Sequence, residues 1–249
     1  MKPISTSRII DYVENNIGEF HRRRLESLAS LKLDKLLKSK NPYLFKAKNI
    51  TLSQDFIKIV LDAYLSSQEE TIFGNFLEGL ARFINGKIYG GQKSSSPGID
   101  LEFVKNNIRY LVSIKSGPHW GNSEQIKKMI DNFKTAKVRI RQHNPEVTVV
   151  AVNGCCYGKD SRPDKGEYFK YCGQQFWEFI SGNENLYLEI IVPLGYKARE
   201  KNEAFYKDYS KLVNVFTSEF NHKYCKDGAI NWEELAKFNS AKPVLKPKR

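Results

Sequence analysis

Apolar residues recur at helical spacing from the start of the chain. Ile10, Val13, Ile17 and Phe20 are followed by Leu25, Leu28, Leu36 and Leu37. A repeat of three to four residues puts such positions on one face of an amphipathic helix. Pro42 in "KNPYLF" interrupts the pattern. Thr51 with Gln54 three residues on has the form of a capping box, and Phe56, Val60 and Tyr64 continue at helical spacing. A further helix is predicted over about Glu70 to Asn85. Phe73, Phe76, Leu77, Leu80 and Ile84 form its stripe, and Gly86 suits its exit.

The period then changes from helical to alternating. "KIYGGQ" is predicted as a short first strand and "SSSPG" as a loop. In "GIDLEFV", Ile99, Leu101 and Phe103 share one face while Asp100 and Glu102 share the other. In "IRYLVSIK", Ile108, Tyr110, Val112 and Ile114 lie opposite Arg109, Leu111, Ser113 and Lys115. Asn106 and Asn107 form a two-residue turn, because asparagine tolerates positive φ. If Lys105 pairs with Ile108, Asp100 falls opposite Ser113 and Glu102 opposite Leu111. Lys115 is then the diagonal neighbour of Asp100, which lies within reach of a long side chain.

After the loop "GPHWG", Asn122 and Gln125 mark a helix start, and a basic helix is predicted to about His143. "EVTVVAV" is a continuous apolar run, the signature of a strand buried on both faces. Strand, helix and strand make a crossover unit, so this strand is predicted parallel to "IRYLVSIK". A charged, glycine-containing loop follows, flanked by strand-like pieces, and the chain from about Gln174 onward is largely helical by pattern. The fold class is α/β: a mixed central sheet with flanking helices, plus helical N-terminal and C-terminal additions. The predicted division is an N-terminal helical region at 1–50, suited to dimerisation or DNA contact, and a core at 51–180. A C-terminal helical region at 181–240 and a basic tail at 241–249 complete a single compact domain.

Composition narrows the function. The 249 residues are 41% hydrophobic and 27% charged, in the range of globular domains. No eighteen-residue apolar run and no secretory leader pattern are present, so a cytoplasmic protein without a membrane span is expected. The four cysteines (Cys155, Cys156, Cys172, Cys225) show no CxxC pair, which argues for free thiols over a zinc site. The net charge of +12 points to a polyanionic partner, most often nucleic acid. Basic residues concentrate between Arg22 and Lys48, between Lys127 and Arg141, and in the tail. Each run taken alone reads equally well as a solvated helix face.

The hairpin carries the candidate chemistry. A carboxylate is a hard ligand for Mg2+, which one or two carboxylates hold together with water and substrate phosphate. A nearby lysine can orient the attacking water or stabilise charge on phosphorus. Asp100 and Lys115 together therefore suit phosphodiester hydrolysis. An internal Asp–Lys ion pair at a sheet edge explains the same pattern without function.

These residues resemble a known family. Pro97-Gly98-Ile99-Asp100 followed by Ser113-Ile114-Lys115 is similar to the core motif of the PD-(D/E)XK nuclease superfamily, most closely of type II restriction endonucleases. "KNPYLF" and "TIFGNFLEGLARFING" upstream, and "EQIKKMIDNF" and "QQFWEFISG" downstream, resemble flanking helices of such enzymes. Two departures stand out. Pro97 is not adjacent to Asp100, and Ser113 stands where the motif has its second acid. Glu78, Glu102 and Glu124 are the candidates to supply that carboxylate. Glu78 is favoured, because the family often places a glutamate on the helix before the core. Its alternative is an i,i+4 pair with Arg82. Gly74, on the same face as Glu78, leaves room for another chain or a ligand.

The resemblance implies a Mg2+-dependent endonuclease acting on a short site in double-stranded DNA, in the cytoplasm of a prokaryote. Asp100, Glu78 and the carbonyl of Ile114 would hold the metal, and Asp100, Lys115, Ser113 and Glu78 would form the catalytic set. Lys159, Asp160, Arg162, Asp164 and Lys165 offer donors and acceptors for base edges. Arg22, Arg23 and Arg24 suit phosphates, and Gln125 is a further DNA-contact candidate with a helix-capping alternative. A homodimer and a DNA methyltransferase acting on the same site are the expected partners. A junction-resolving nuclease of the same fold, or a non-catalytic DNA-binding protein, are the alternatives.

Overall fold

The computed structural model describes residues 4–243, so residues 244–249 of the predicted basic tail lie outside the described residues. The chain forms two compact units. One comprises residues 4–20 and 70–198, the other residues 21–69 and 199–243. In chain order the helices α1 (Thr6–Ala29), α2 (Leu33–Lys38), α3 (Pro42–Ala47) and α4 (Ser53–Tyr89) lead into strands β1 (Leu101–Lys105) and β2 (Ile108–Lys115). Then come α5 (Ser123–His143), β3 (Thr148–Cys155), β4 (Phe169–Cys172), α6 (Gln174–Ser181), α7 (Leu186–Glu189), α8 (Ile191–Leu194) and α9 (Ala198–Tyr224). The short strands β5 (Cys225–Lys226) and β6 (Ala229–Ile230) and the helix α10 (Trp232–Ser240) complete the described chain.

Helix α4 joins what the sequence pattern presents as two helices. No proline interrupts "SSQEETIF", so the helix runs through. Its early stripe, Ile57, Val60 and Leu61, belongs to one apolar core, and its later stripe, Leu77, Leu80 and Ile84, to another. Twenty residues separate Ile57 from Leu77. At 3.6 residues per turn the two stripes are therefore out of phase by roughly half a turn. That shift makes one helix look like two. The helix also takes in Lys87 to Tyr89, which the alternating pattern assigns to a strand. It ends at Gly90, whose φ of +68° lies in the left-handed region, and not at Gly86. Of the predicted first strand, only Gln92 pairs, in a single bridge to Glu102.

The first unit is built on a four-stranded mixed sheet in the order β1-β2-β3-β4. Strands β1 and β2 are antiparallel, and β2, β3 and β4 run parallel. The hairpin has the expected register, with Lys105 opposite Ile108 and Glu102 opposite Leu111. Asn106 and Asn107 adopt φ of +52° and +60°, which suits a two-residue turn matching strand twist. Side-chain alternation then sorts the two faces. Leu101, Phe103, Val112, Ile114 and Val152 pack with α4 and α6. Leu111, Val149 and Ala151 pack with Met129, Phe133 and Ala136 of α5. Both faces are thus covered, as parallel strands require.

The second unit is helical apart from the β5–β6 hairpin. Its core gathers Leu33, Leu36, Phe56, Ile57, Val60 and Leu61 with Phe205, Phe216, Phe220 and Leu235. Within it Arg24 donates to Glu69 (2.7 Å) and Asn202 (2.9 Å) and lies over the Phe205 ring at 4.0 Å.

Strand β3 is central, so its neighbours tolerate little change. A Cβ added at Gly154 would lie 2.2 Å from the Phe176 ring of α6, below any real contact. Gly154→Ala is expected to destabilise the protein by about 1–3 kcal/mol through overpacking. A lower urea midpoint at unchanged m-value would show it; an unchanged midpoint would mean that α6 can move aside.

Candidate active site

The site lies at the carboxyl end of β2, on the sheet face that α5 covers. Gly98 sets the entry to Asp100. Its φ is +73°, and an added Cβ would lie 2.3 Å from the Asn132 amide of α5. The chain then turns so that the Asp100 N–H donates to the Val112 carbonyl at 2.8 Å. Asp100 Oδ2 accepts from the Ile114 N–H at 2.7 Å. Lys115 Nζ lies 3.8 Å from the same oxygen, and Ser113 Oγ is 3.5 Å away, the limit of a weak hydrogen bond. The hairpin thus brings Asp100, Ser113 and Lys115 together, with Ser113 almost fully buried.

Glu78 joins them from α4. Burial and then the nearby Asp100 raise its pKa above the ordinary carboxylate value, against Arg82, Lys115 and Lys93, which lower it. Arg82 is its i,i+4 partner at 3.6 Å. Glu78 is thus paired with Arg82 and also feels the charge of Asp100. Gly74 lies one turn earlier on the same helix. The space beside it is filled by Ser116, whose Cβ would lie 3.4 Å from an added Cβ. Gly74 thus faces Ser116 with room for a methyl group and little more, and Glu78 follows one turn later.

The other two carboxylates are placed differently. Glu102 Oε1 accepts from Arg109 Nε at 2.7 Å, and its Oε2 accepts from Ser94 Oγ at 2.7 Å. Glu124 is exposed in the first turn of α5. Gln125 completes a capping box: its N–H donates to Asn122 Oδ1, and its Oε1 accepts from the Asn122 N–H, both at 3.0 Å.

The loop between β3 and β4 is internally braced. Asp160 accepts from the Arg162 N–H (2.9 Å) and from Lys165 Nζ (3.0 Å), and Asp164 accepts from the Gly166 N–H (2.7 Å). Burial works against the Asp160 charge, but the Arg162 N–H and Lys165 hold its pKa below the ordinary value. Lys159 and Arg162 are exposed. Arg22, Arg23 and Arg24 belong to the other unit, where Arg22 pairs with Glu26.

Two residues beside the cluster escape the sequence reading. Lys115 Nζ lies 5.1 Å from the centroid of the Trp120 ring. Trp120 Nε1 donates to Asn153 Oδ1 at 3.1 Å, and Asn153 Nδ2 donates to the Ser113 carbonyl at 3.2 Å. Trp120 sits in the segment read only as the loop "GPHWG". Asn153 follows an apolar strand run, where its polarity was the one available signal. The cysteines are free. Burial pushes Cys155 up to about 12 and raises Cys156 as well, so neither thiol is a ready nucleophile.

Residues 7–202 match the family model of the type II restriction endonuclease EcoO109I. The chain belongs to this family of type II restriction endonucleases. A search of the curated proteins returns no match. As a type II restriction endonuclease of the EcoO109I family, the chain is an endodeoxyribonuclease that acts on double-stranded DNA. The mixed sheet with flanking helices is consistent with a restriction endonuclease fold. The matched stretch includes every residue of the Asp100 cluster. Among the described residues, no helix is long and apolar enough to cross a membrane.

Type II restriction endonucleases generally use divalent metal ions, and the donor set here suits one. Asp100 and Glu78 are hard carboxylates, and the charge of Asp100 adds to burial in raising the Glu78 pKa, an effect that a bound cation would offset. No group of three or more His, Cys, Asp or Glu among the described residues could hold a metal. Two carboxylates would leave positions for water and substrate phosphate around a hard divalent cation.

The contrast between Glu102 and Glu78 is testable. Glu102→Ala is expected to leave the cleavage rate near wild type and to cost roughly 1 kcal/mol or less of stability, because its partner Arg109 is partly exposed. Glu78→Gln should slow cleavage at unchanged stability. Purified variants assayed side by side decide it; the reverse pattern would make Glu102 the helper carboxylate.

Proposed function

We propose that this restriction endonuclease hydrolyses phosphodiester bonds at a specific short DNA site with Mg2+ as its cofactor. The single observation that carries this reading is the convergence of Asp100, Lys115 and Glu78 at the end of one strand. Asp100 and Glu78, with the main-chain carbonyl of Ile114, would hold the ion. When bound, the ion acidifies water and neutralises charge on the scissile phosphate. Lys115 orients the attacking water and stabilises the charge that builds on the phosphoryl oxygens. Attack is in line, with no covalent intermediate on the protein. Ser113 braces Asp100 and carries no charge of its own.

Base reading falls to the loop between β3 and β4. Exposed Lys159 and Arg162 are its direct readers, while Asp160, Asp164 and Lys165 shape it through their internal bonds. Arg22 and Arg23 serve phosphates, and Arg24 is committed to Glu69 and Phe205. The enzyme works as a homodimer on a palindromic site, with a cognate methyltransferase protecting host DNA.

Asp100→Ala and Lys115→Ala are expected to lower the rate by at least about 10³-fold, as loss of a key electrostatic or acid–base group does. DNA binding should survive in both. Ser113→Ala should stay within about tenfold of wild type, the scale of one weak hydrogen bond. Plasmid digestion with Mg2+ against EDTA reads all three, and discrete bands with Mg2+ alone support site-specific cleavage. Full cleavage by either of the first two variants would falsify the assignment, and smearing would remove the specific site. Cutting of branched DNA in preference to a short duplex site would favour a junction nuclease instead.

A further inference from the structure

Lys115 is ion-paired with Asp100, and the residue two positions before it, where the motif has an acid, is the neutral Ser113. The Lys115 ammonium also meets an aromatic face. The face of an indole is the electron-rich side of its quadrupole and attracts a cation within about 6 Å. The Trp120 ring lies inside that range. It is also oriented. Its N–H is bound to Asn153, which is 1% exposed and directly opposite Ser113 in the β2–β3 ladder. Asn153 in turn donates to the Ser113 carbonyl, two residues before Lys115. The chain of contacts runs from the buried centre of the sheet, through an indole edge, to the lysine head.

We infer that Trp120 is a positioning residue for Lys115, and that Asn153 fixes the ring in place. The ring's π face supplies, on the side of the ammonium it covers, an electrostatic contact that the neutral serine at 113 does not. This rests on the reading of Lys115 as the residue that orients water. A simpler role is apolar cover, since Trp120 also packs against the cluster under α5. Cover alone, however, requires neither the N–H bond to a buried amide nor a ring face turned to the ammonium.

Two measurements test it on the full chain. The first reads the contact without activity. The three tryptophans give three indole N–H signals in a 1H–15N spectrum, assigned with Trp120→Phe. Lys115→Met should shift the Trp120 signal and leave those of Trp177 and Trp232 in place. No shift would overturn the contact. The second is single-turnover cleavage beside DNA affinity measured without divalent cation. Trp120→Leu should slow the chemical step by about 10–100-fold, the effect of misplacing a reacting group by about an ångström. Its DNA affinity should stay within about twofold, since the loss belongs to the transition state. Trp120→Phe keeps a π face and should recover most of the rate. Wild-type rates in Trp120→Leu, or equal losses in the leucine and phenylalanine variants, would overturn the role. Wild-type cleavage by Lys115→Met would overturn the site reading itself. The indole shift distinguishes that failure from a failure of the contact.

Discussion

The register of one hairpin governs the site. Two asparagines at positive φ make a turn of fixed length, and the strands can then pair in only one alignment. A slip of one residue would move Asp100 to the opposite face from Ser113 and Lys115 and bury charge in the α4–α6 core. With the register set, the parallel pairing of β2 and β3 brings Asn153 opposite Ser113. The covering helix α5 and the end of α4 then close around the cluster. The chemistry of the site follows from these alignments more than from any individual contact energy.

Much of this order is local, and local order is what a sequence discloses. The hairpin alternation, the Asn122–Gln125 capping box and the apolar run of β3 each reflect neighbours within a few residues. Each was therefore legible. The Asp100–Lys115 pairing followed from the turn alone. Where the reading went astray, distant packing had decided. Helix α4 reads as two helices in sequence because its apolar stripe changes phase midway, and its last turn reads as a strand because Gly86 looks like a stop. Neither feature can be weighed without knowing which core each stripe enters.

The site shows the same division. In sequence Glu78 is one of three candidate carboxylates, and what distinguishes them is partners remote in sequence. Glu102 is bound by Arg109 and Ser94, and Glu124 is exposed, whereas Glu78 shares its surroundings with Asp100. Trp120 was invisible as anything but loop, because its role depends on Asn153, thirty-three residues on. Among the charged loop residues, the structure shows that Asp160, Asp164 and Lys165 brace the loop through internal bonds. Composition could only list them together.

Gly74 has a consequence of a mechanical kind. An α-helix is stiff along its axis, so a push at one turn is carried to the next nearly undiminished. Gly74 rests against Ser116, and Glu78 sits a single turn beyond. The glycine thus acts as a spacer of zero thickness at the fulcrum of a lever, with a carboxylate at the other end. A methyl group fits the gap in ordinary contact, but a larger side chain would tilt the rod and lift Glu78 away from Asp100. The tolerance of the site is set at a position that bears no functional group at all.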